Sequence, residues 1–157
     1  MTKKRYKIIP AVYLLLVENN KILLMKRHNT GFMDKWYSLP AGHLDGNETS
    51  RHGIAREAKE ELGINIDPND LEMKVNMHNI FPTREVTEWF LTTSKYTGKI
   101  ENKEPHKCSE LKFFPINNLP ENIIPYIRQA IECYKKGCFY SEWGWNDPNN
   151  TGFKLNQ

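Results

Sequence analysis

The chain has 157 residues, 39% hydrophobic and 26% charged, a balance that excludes a disordered or membrane-spanning chain and leaves room for one domain with one site. A net charge of +3 does not by itself argue for nucleic acid, although a basic surface beside a site would still attract phosphates. The three cysteines, Cys108, Cys133 and Cys138, form no C-x-x-C pair and are odd in number, so a disulfide framework is not expected and a reducing, cytoplasmic compartment is.

At the N-terminus the basic "MTKKRYK" precedes the apolar "IIPAVYLLLV" in the order of a signal peptide. The polar "ENN" follows at once, however, no A-x-A-like cleavage site is present, and a second apolar run, "KILLMKR", answers the first. Two strands joined by a tight turn are therefore expected, followed by a short extended piece, "WYSLPAG". Next, Thr49 or Ser50 can cap a helix whose Ile54, Ala58 and Leu62 recur every four positions and which Gly63 ends. A turn at Asp67, Pro68, Asn69 and Asp70 leads to two longer strands, "LEMKVNMHNIF" and "TEWFLTTSKYT", with "PTREV" between them, and then to a shorter one, "ELKFFPI". The last helix is expected over about 120–136, where Ile123, Ile127, Ala130, Ile131 and Tyr134 form a stripe, Gly137 is the stop, and Pro125 is tolerable only near the first turn. In the tail the tryptophans should pack and the end should fray.

The stretch "GHLDGNETSRHGIAREAKEELGI" raises the chemical question, because on a helix Glu57, Glu60 and Glu61 share one sector, clear of Ile54, Ala58 and Leu62. Like charges at i,i+3 and i,i+4 cost roughly 0.2–0.5 kcal/mol per pair. Such clustering has a rationale when a cation occupies it, and oxygen ligands on a rigid helix suit Mg²⁺ or Mn²⁺.

The spacing from Gly42 through Glu48 to Arg56-Glu57-Ala58-Lys59-Glu60-Glu61-Leu62-Gly63-Ile64 resembles the complete Nudix box, G-x5-E-x7-R-E-U-x-E-E-x-G-U with U apolar. The lead-in "WYSLPAGHLDGNE" also resembles that of Nudix hydrolases. The resemblance implies an α/β fold over residues 1–157, an α/β/α sandwich with a mixed sheet and flanking helices, that hydrolyses a diphosphate linking a nucleoside to another group X. It further implies metal ions, Mg²⁺ with Mn²⁺ as a substitute, held by Glu57, Glu60 and Glu61 with the Gly42 carbonyl as an extra ligand. By the same resemblance Arg56 orients a carboxylate, and Glu48 anchors the loop or reaches a metal through water. A further acid from a loop after the central strands is expected; Glu104 is the candidate, with Glu101, Glu110 and Glu85 as alternatives.

Arg27 closes the second strand, where a guanidinium could grip phosphate. The leaving group must be read outside the box, for which Tyr37, His78, Phe81, Trp89 and Phe114 are aromatic candidates. The segment "EPHKCSELKFFPINNLPENIIPYIRQAI" resembles one of small MutT-like Nudix proteins, which favours nucleoside triphosphates cleaved to monophosphate and pyrophosphate. An RNA 5′-end pyrophosphohydrolase, a nucleotide-sugar or ADP-ribose hydrolase, and a non-catalytic nucleotide sensor are the alternatives. The expected partner is a small-molecule nucleotide and no membrane; 5′-end RNA and a homodimer stay open.

Overall fold

The computed structural model describes residues 4–146. Nine strands and two helices follow in the order β1 (Ile9–Leu15), β2 (Val17–Glu18), β3 (Lys21–Arg27), β4 (Tyr37–Ser38), β5 (Ala41–His43), α1 (Ser50–Leu62), β6 (Glu72–Phe81), β7 (Arg84–Thr92), β8 (Cys108–Pro115), α2 (Pro125–Lys136) and β9 (Tyr140–Trp143). A five-stranded mixed sheet runs β5-β1-β7-β6-β9, with β1 parallel to β7 and antiparallel to β5. In a second sheet β3 pairs with β2, β4 and β8.

β1 is buried on both faces, as its near-continuous apolar run requires of a central strand. Val12, Leu14 and Leu16 point to a cluster holding Ile54, Ala58 and Leu62 of α1. Tyr13 and Leu15 point the other way, with Val75, Met77 and Phe90, towards Ile127, Ala130 and Ile131 of α2. The mixed sheet thus lies between two helices, the expected α/β/α sandwich. Each wholly buried Leu or Ile is worth about 1.5–3 kcal/mol, so these two stripes fix the position of α1 against β1 and β5.

Four local expectations need correction. The first apolar run does not pair with the second as a simple hairpin: only Val17–Glu18 pair with Lys21–Ile22, through Asn19 and Asn20 at φ 48° and 59°, while β1 crosses into the five-stranded sheet. Both asparagines being left-handed makes a type I′-like turn. The connection between β6 and β7 is Pro82–Thr83 alone, since Phe81 pairs with Arg84 and "REV" is already strand. β7 stops at Thr92 because the Thr93 hydroxyl accepts from Lys95 N at 3.0 Å and turns the chain, and Thr97 bridges Asn65 instead. The second helix starts at Pro125 and not at about 120: the residue before a proline avoids the helical region, and Ile123 and Ile124 bridge back to Tyr37.

The capping expectations find their partners. The Thr49 hydroxyl accepts from His52 N, and Gly63 closes α1 in the left-handed region at φ 73°. Trp143 packs against the core cluster under α2, and Trp145 donates to His78 O at 2.8 Å. The fraying expected of the chain end falls on 147–157, outside the described residues. No helix among the described residues is long and apolar enough to cross a membrane.

Candidate active site

The apolar stripe that seats α1 turns its acidic sector towards β5. There the Ala41 N–H donates to Glu61 Oε2 at 3.0 Å, and Gly42 lies so close to Glu57 that a Cβ would stand 1.9 Å from Glu57 Oε1. Only glycine admits that approach. Arg56 holds the rest together: Nη2 and Nε reach Glu48 at 2.7 and 3.2 Å, Nη1 reaches Glu57 at 2.7 Å and Glu60 at 3.4 Å, and Nη2 also donates to His43 O at 3.2 Å.

The electrostatics divide these carboxylates into two kinds. Glu48 is held below its ordinary pKa, chiefly by its hydrogen bond from Arg56, and Arg56 is raised in return. Glu61 is pushed up to about 8, first by burial and then by Glu57 and Glu104, against the opposing Ala41 N–H. Glu57 is also raised by burial, Arg56 opposing and Glu60 and Glu104 adding to it. Burial thus disfavours the ionised form of the second pair, and a divalent cation bound between them would favour it.

These carboxylates form one wall of a cleft of about 620 Å³, a volume suited to a nucleotide-sized ligand. Glu57, Glu60, Glu61 and Gly42 line it with Glu104, whose Oε1 is held by Lys107 Nζ at 3.1 Å. A second group lines the same cleft: Arg27, Arg84, Phe32, Tyr13, Tyr126 and Glu88.

A family model described as NUDIX domain matches residues 7–133. The chain belongs to the NUDIX domain family. It is 30% identical over 94 residues to the 8-oxo-dGTP diphosphatase of Escherichia coli (strain K12), covering 60% of this chain and 71% of that protein. It is also 30% identical over 123 residues to the ADP-ribose pyrophosphatase of Methanocaldococcus jannaschii, covering 77% and 71%. The fold is shared with the MutT NUDIX hydrolase of Burkholderia pseudomallei, with a TM-score of 0.74 at 22% identity over 81% of this chain and 98% of that one. This NUDIX chain is a pyrophosphohydrolase of nucleotide-linked substrates, from a family whose hydrolases use divalent metal ions such as Mg²⁺.

Within this NUDIX domain the expected residues are distributed unevenly. Glu57, Glu60, Glu61, Gly42, Glu104 and Arg27 line the cleft, while Arg56 and Glu48 stand behind the carboxylates. Arg27 Nε and Nη2 are committed to Phe32 O and Thr30 Oγ1 at 2.6 and 3.0 Å. Phe81 is not a lining residue; its ring packs on Tyr126 and Phe32, which are. Tyr37 and Phe114 do not reach the cleft: they pack edge to face at 4.9 Å, and the Tyr37 hydroxyl donates to Glu110. His78 pairs with Glu85 at 2.6 Å and Trp89 packs in the cluster beneath α1. Of the acidic alternatives, Glu101 pairs with Lys103, Glu110 serves Tyr37 and Glu85 serves His78.

Sequence reasoning missed Glu88, Arg84 and Phe32. Glu88 shares its face of β7 with Val86 and Phe90 and is 2% exposed. A charged residue at an apolar parity position was the available signal. Its carboxylate accepts from Tyr13 Oη at 3.0 Å and from the Asn79 amide, and burial pushes it up to about 7. Phe32 sits in a segment where Met33 and Lys35 adopt left-handed φ of 50° and 71°, a cost that short-range sequence patterns do not report.

Proposed function

We propose that the chain hydrolyses a nucleoside triphosphate to the monophosphate and pyrophosphate, with Mg²⁺, or Mn²⁺ in its place, held by Glu57, Glu60 and Glu61. The observation that carries this reading is the meeting, in one nucleotide-sized cleft, of the α1 carboxylates with a second group of cationic, aromatic and acidic side chains. The Phe32 ring carries the guanidinium groups of Arg84 and Arg27 at 5.3 and 5.5 Å, and Glu88 lies in the same cleft. Together they line this part of the cleft with cationic donors and aromatic surface, groups suited to the edge of a nucleobase. Among the described residues, Arg84 Nε is buried without a hydrogen-bond partner, a donor that a bound ligand would satisfy.

The donor set fits a hard divalent ion: carboxylate oxygens, those of Glu57 and Glu61 half-buried, beside a backbone whose Gly42 leaves room for Glu57. Among the described residues no three His, Cys, Asp or Glu side chains converge on one point; Glu57 leans to Arg56 and Glu61 to Ala41 N. An ion bound there would neutralise the diphosphate and lower the pKa of a bound water. The Gly42 carbonyl would be a further ligand, and Glu48, which accepts from Arg56 and Asp45 N, would anchor the loop or reach the ion through water. Arg56 keeps Glu57 and Glu60 oriented and does not touch substrate. Lys107 fixes Glu104 by Oε1, so the other carboxylate oxygen takes the proton of the attacking water.

The test is product analysis after incubating the pure protein and Mg²⁺ with canonical and oxidised nucleoside triphosphates, nucleotide sugars, ADP-ribose and 5′-triphosphate RNA. Monophosphate and pyrophosphate released from triphosphates, and not by Glu57→Gln, support the proposal. Selective cleavage of the RNA, the sugar nucleotides or ADP-ribose moves the substrate to that class and refutes the triphosphate reading.

A further inference from the structure

Three features at the end of α2 converge on a second chemistry, away from the cleft. Cys138 N donates to Cys133 O at 2.9 Å, Gly137 N donates to Tyr134 O at 3.2 Å, and Gly137 is left-handed at φ 68°. This is a Schellman motif, in which the side chains at the two ends of the 6→1 bond meet, usually as an apolar contact. Here both ends carry thiols, and Cys138 Sγ donates to Tyr140 O at 3.3 Å. Cys138 is exposed and Cys133 half-buried. The flanks are fixed as well: Asn76 N donates to Phe139 O at 2.7 Å, and Gln129 Nε2 donates to Ser141 Oγ at 2.6 Å.

We propose that Cys133 and Cys138 are a reversible disulfide site, oxidised by low-molecular-weight disulfides of the glutathione class. Cys138 is the point of attack because it is the exposed thiol of the pair. Its thiolate, after losing a proton, attacks one sulfur of the small disulfide; that S–S bond breaks and the departing thiolate takes up a proton. Cys133, joined to Cys138 by the backbone bond of the cap, then loses its proton and attacks the Cys138 sulfur, expelling the second small thiolate, which takes up a proton. Two protein thiols are oxidised, one small disulfide is reduced to two thiols, and the new S–S bond closes the ring from 133 to 138. The product ties the last turn of α2 to the start of β9, the edge strand of the five-stranded sheet. The 2.9 Å backbone bond holds the two residues together at the cap, and closing the disulfide requires the Cys138 thiol to leave Tyr140 O.

The experiment incubates the full chain with a mixture of reduced and oxidised glutathione, quenches by alkylation and maps the tryptic peptides by mass. Trypsin cuts after Lys135 and Lys136, so the two cysteines leave on separate peptides, 129–135 and 137–154. The wild type should yield these peptides linked. Cys133→Ser should lose the link and accumulate glutathione on Cys138, and buried Cys108 should stay unmodified in both. A stable glutathione adduct on wild-type Cys138, equal to that in Cys133→Ser, overturns the proposal, as does a chain in which neither thiol reacts.

Discussion

Gly42→Ala isolates the contact on which the candidate site depends. The new methyl would stand 1.9 Å from Glu57 Oε1, 2.2 Å from its Cδ and 2.8 Å from its Cγ. The obstacle is the end of a flexible side chain, so the backbone can stay where it is and Glu57 must leave. In leaving, it gives up the 2.7 Å bond from Arg56 Nη1. A hydrogen bond to a charged group is worth about 1.5–3 kcal/mol, and the exposed alternative for Glu57 returns part of that by rehydration. The stability loss should therefore be about 1–2 kcal/mol, small enough for the fold to survive. Turnover should suffer much more, because displacing a reacting group by an ångström costs about 10²-fold. The assay pairs pyrophosphate release with thermal denaturation, using Gly46→Ala as the control, since a Cβ there meets nothing within 4 Å. Gly42→Ala with the turnover of Gly46→Ala would refute the placement of Glu57 in the reaction.

Glu57→Gln and Glu61→Gln should each lower turnover by orders of magnitude with the fold retained, checked by steady-state rates beside circular dichroism; unchanged rates in both would move the metal elsewhere. Arg56→Ala should destabilise the protein by about 2 kcal/mol in urea titration, and Arg56→Lys should recover only part of this, because an ammonium cannot serve Glu48 and Glu57 together as the guanidinium fork does. For Glu88 the folded protein keeps the carboxyl proton up to about pH 7, whereas an ordinary glutamate releases it near 4.5. Unfolding therefore releases a proton in that window, and Glu88's contribution to stability, complete below pH 4.5, is lost as pH rises to 7, at about 1.4 kcal/mol per pH unit and about 3 kcal/mol in all. In metal-free protein Glu61, pushed up to about 8, and Glu57 add to this slope with the same sign, so chemical denaturation across pH 4.5–7 should show a steeper fall from which Glu88→Gln removes about 1.4 kcal/mol per pH unit; an unchanged slope contradicts the buried, protonated carboxyl.

The acidic half of the cleft was legible because local spacing and helical geometry write it. Seven residues between Glu48 and Arg56, and a four-residue apolar repeat through Ile54, Ala58 and Leu62, put the carboxylates on the face that α1 turns to β5. Glu104 was a candidate through the resemblance to Nudix hydrolases alone, beside Glu101, Glu110 and Glu85, and of these four it is the one that lines the cleft. The rest of the cleft's lining was not legible in the same way. Arg84, Phe32 and Tyr126 come from β7, the segment after β3 and α2, and meet only through sheet order. Tyr37 and Phe114 were candidates by residue type alone; pairing of β3 with β4 and β8 turns them towards each other and away from the cleft. The parallel pairing of β1 with β7 was also hidden, because two adjacent apolar runs with "ENN" between them carry the same local pattern whether the first run pairs with the second or crosses sheets. The three cysteines are free, as their odd number and spacing lead one to expect; the cap that brings the backbones of Cys133 and Cys138 together is a C-terminal helix motif that a search for C-x-x-C does not report.

Everything proposed for the cleft rests on α1 gathering a divalent ion between its glutamates. Titration of the protein with Mn²⁺, following the free ion by electron paramagnetic resonance, tests that directly in wild type, Glu57→Gln and Glu61→Gln. The account predicts that the wild type depletes the free-ion signal, that Mg²⁺ competes the ion off, and that both substitutions weaken binding severely. Equal binding by all three proteins would contradict it and place the metal outside α1.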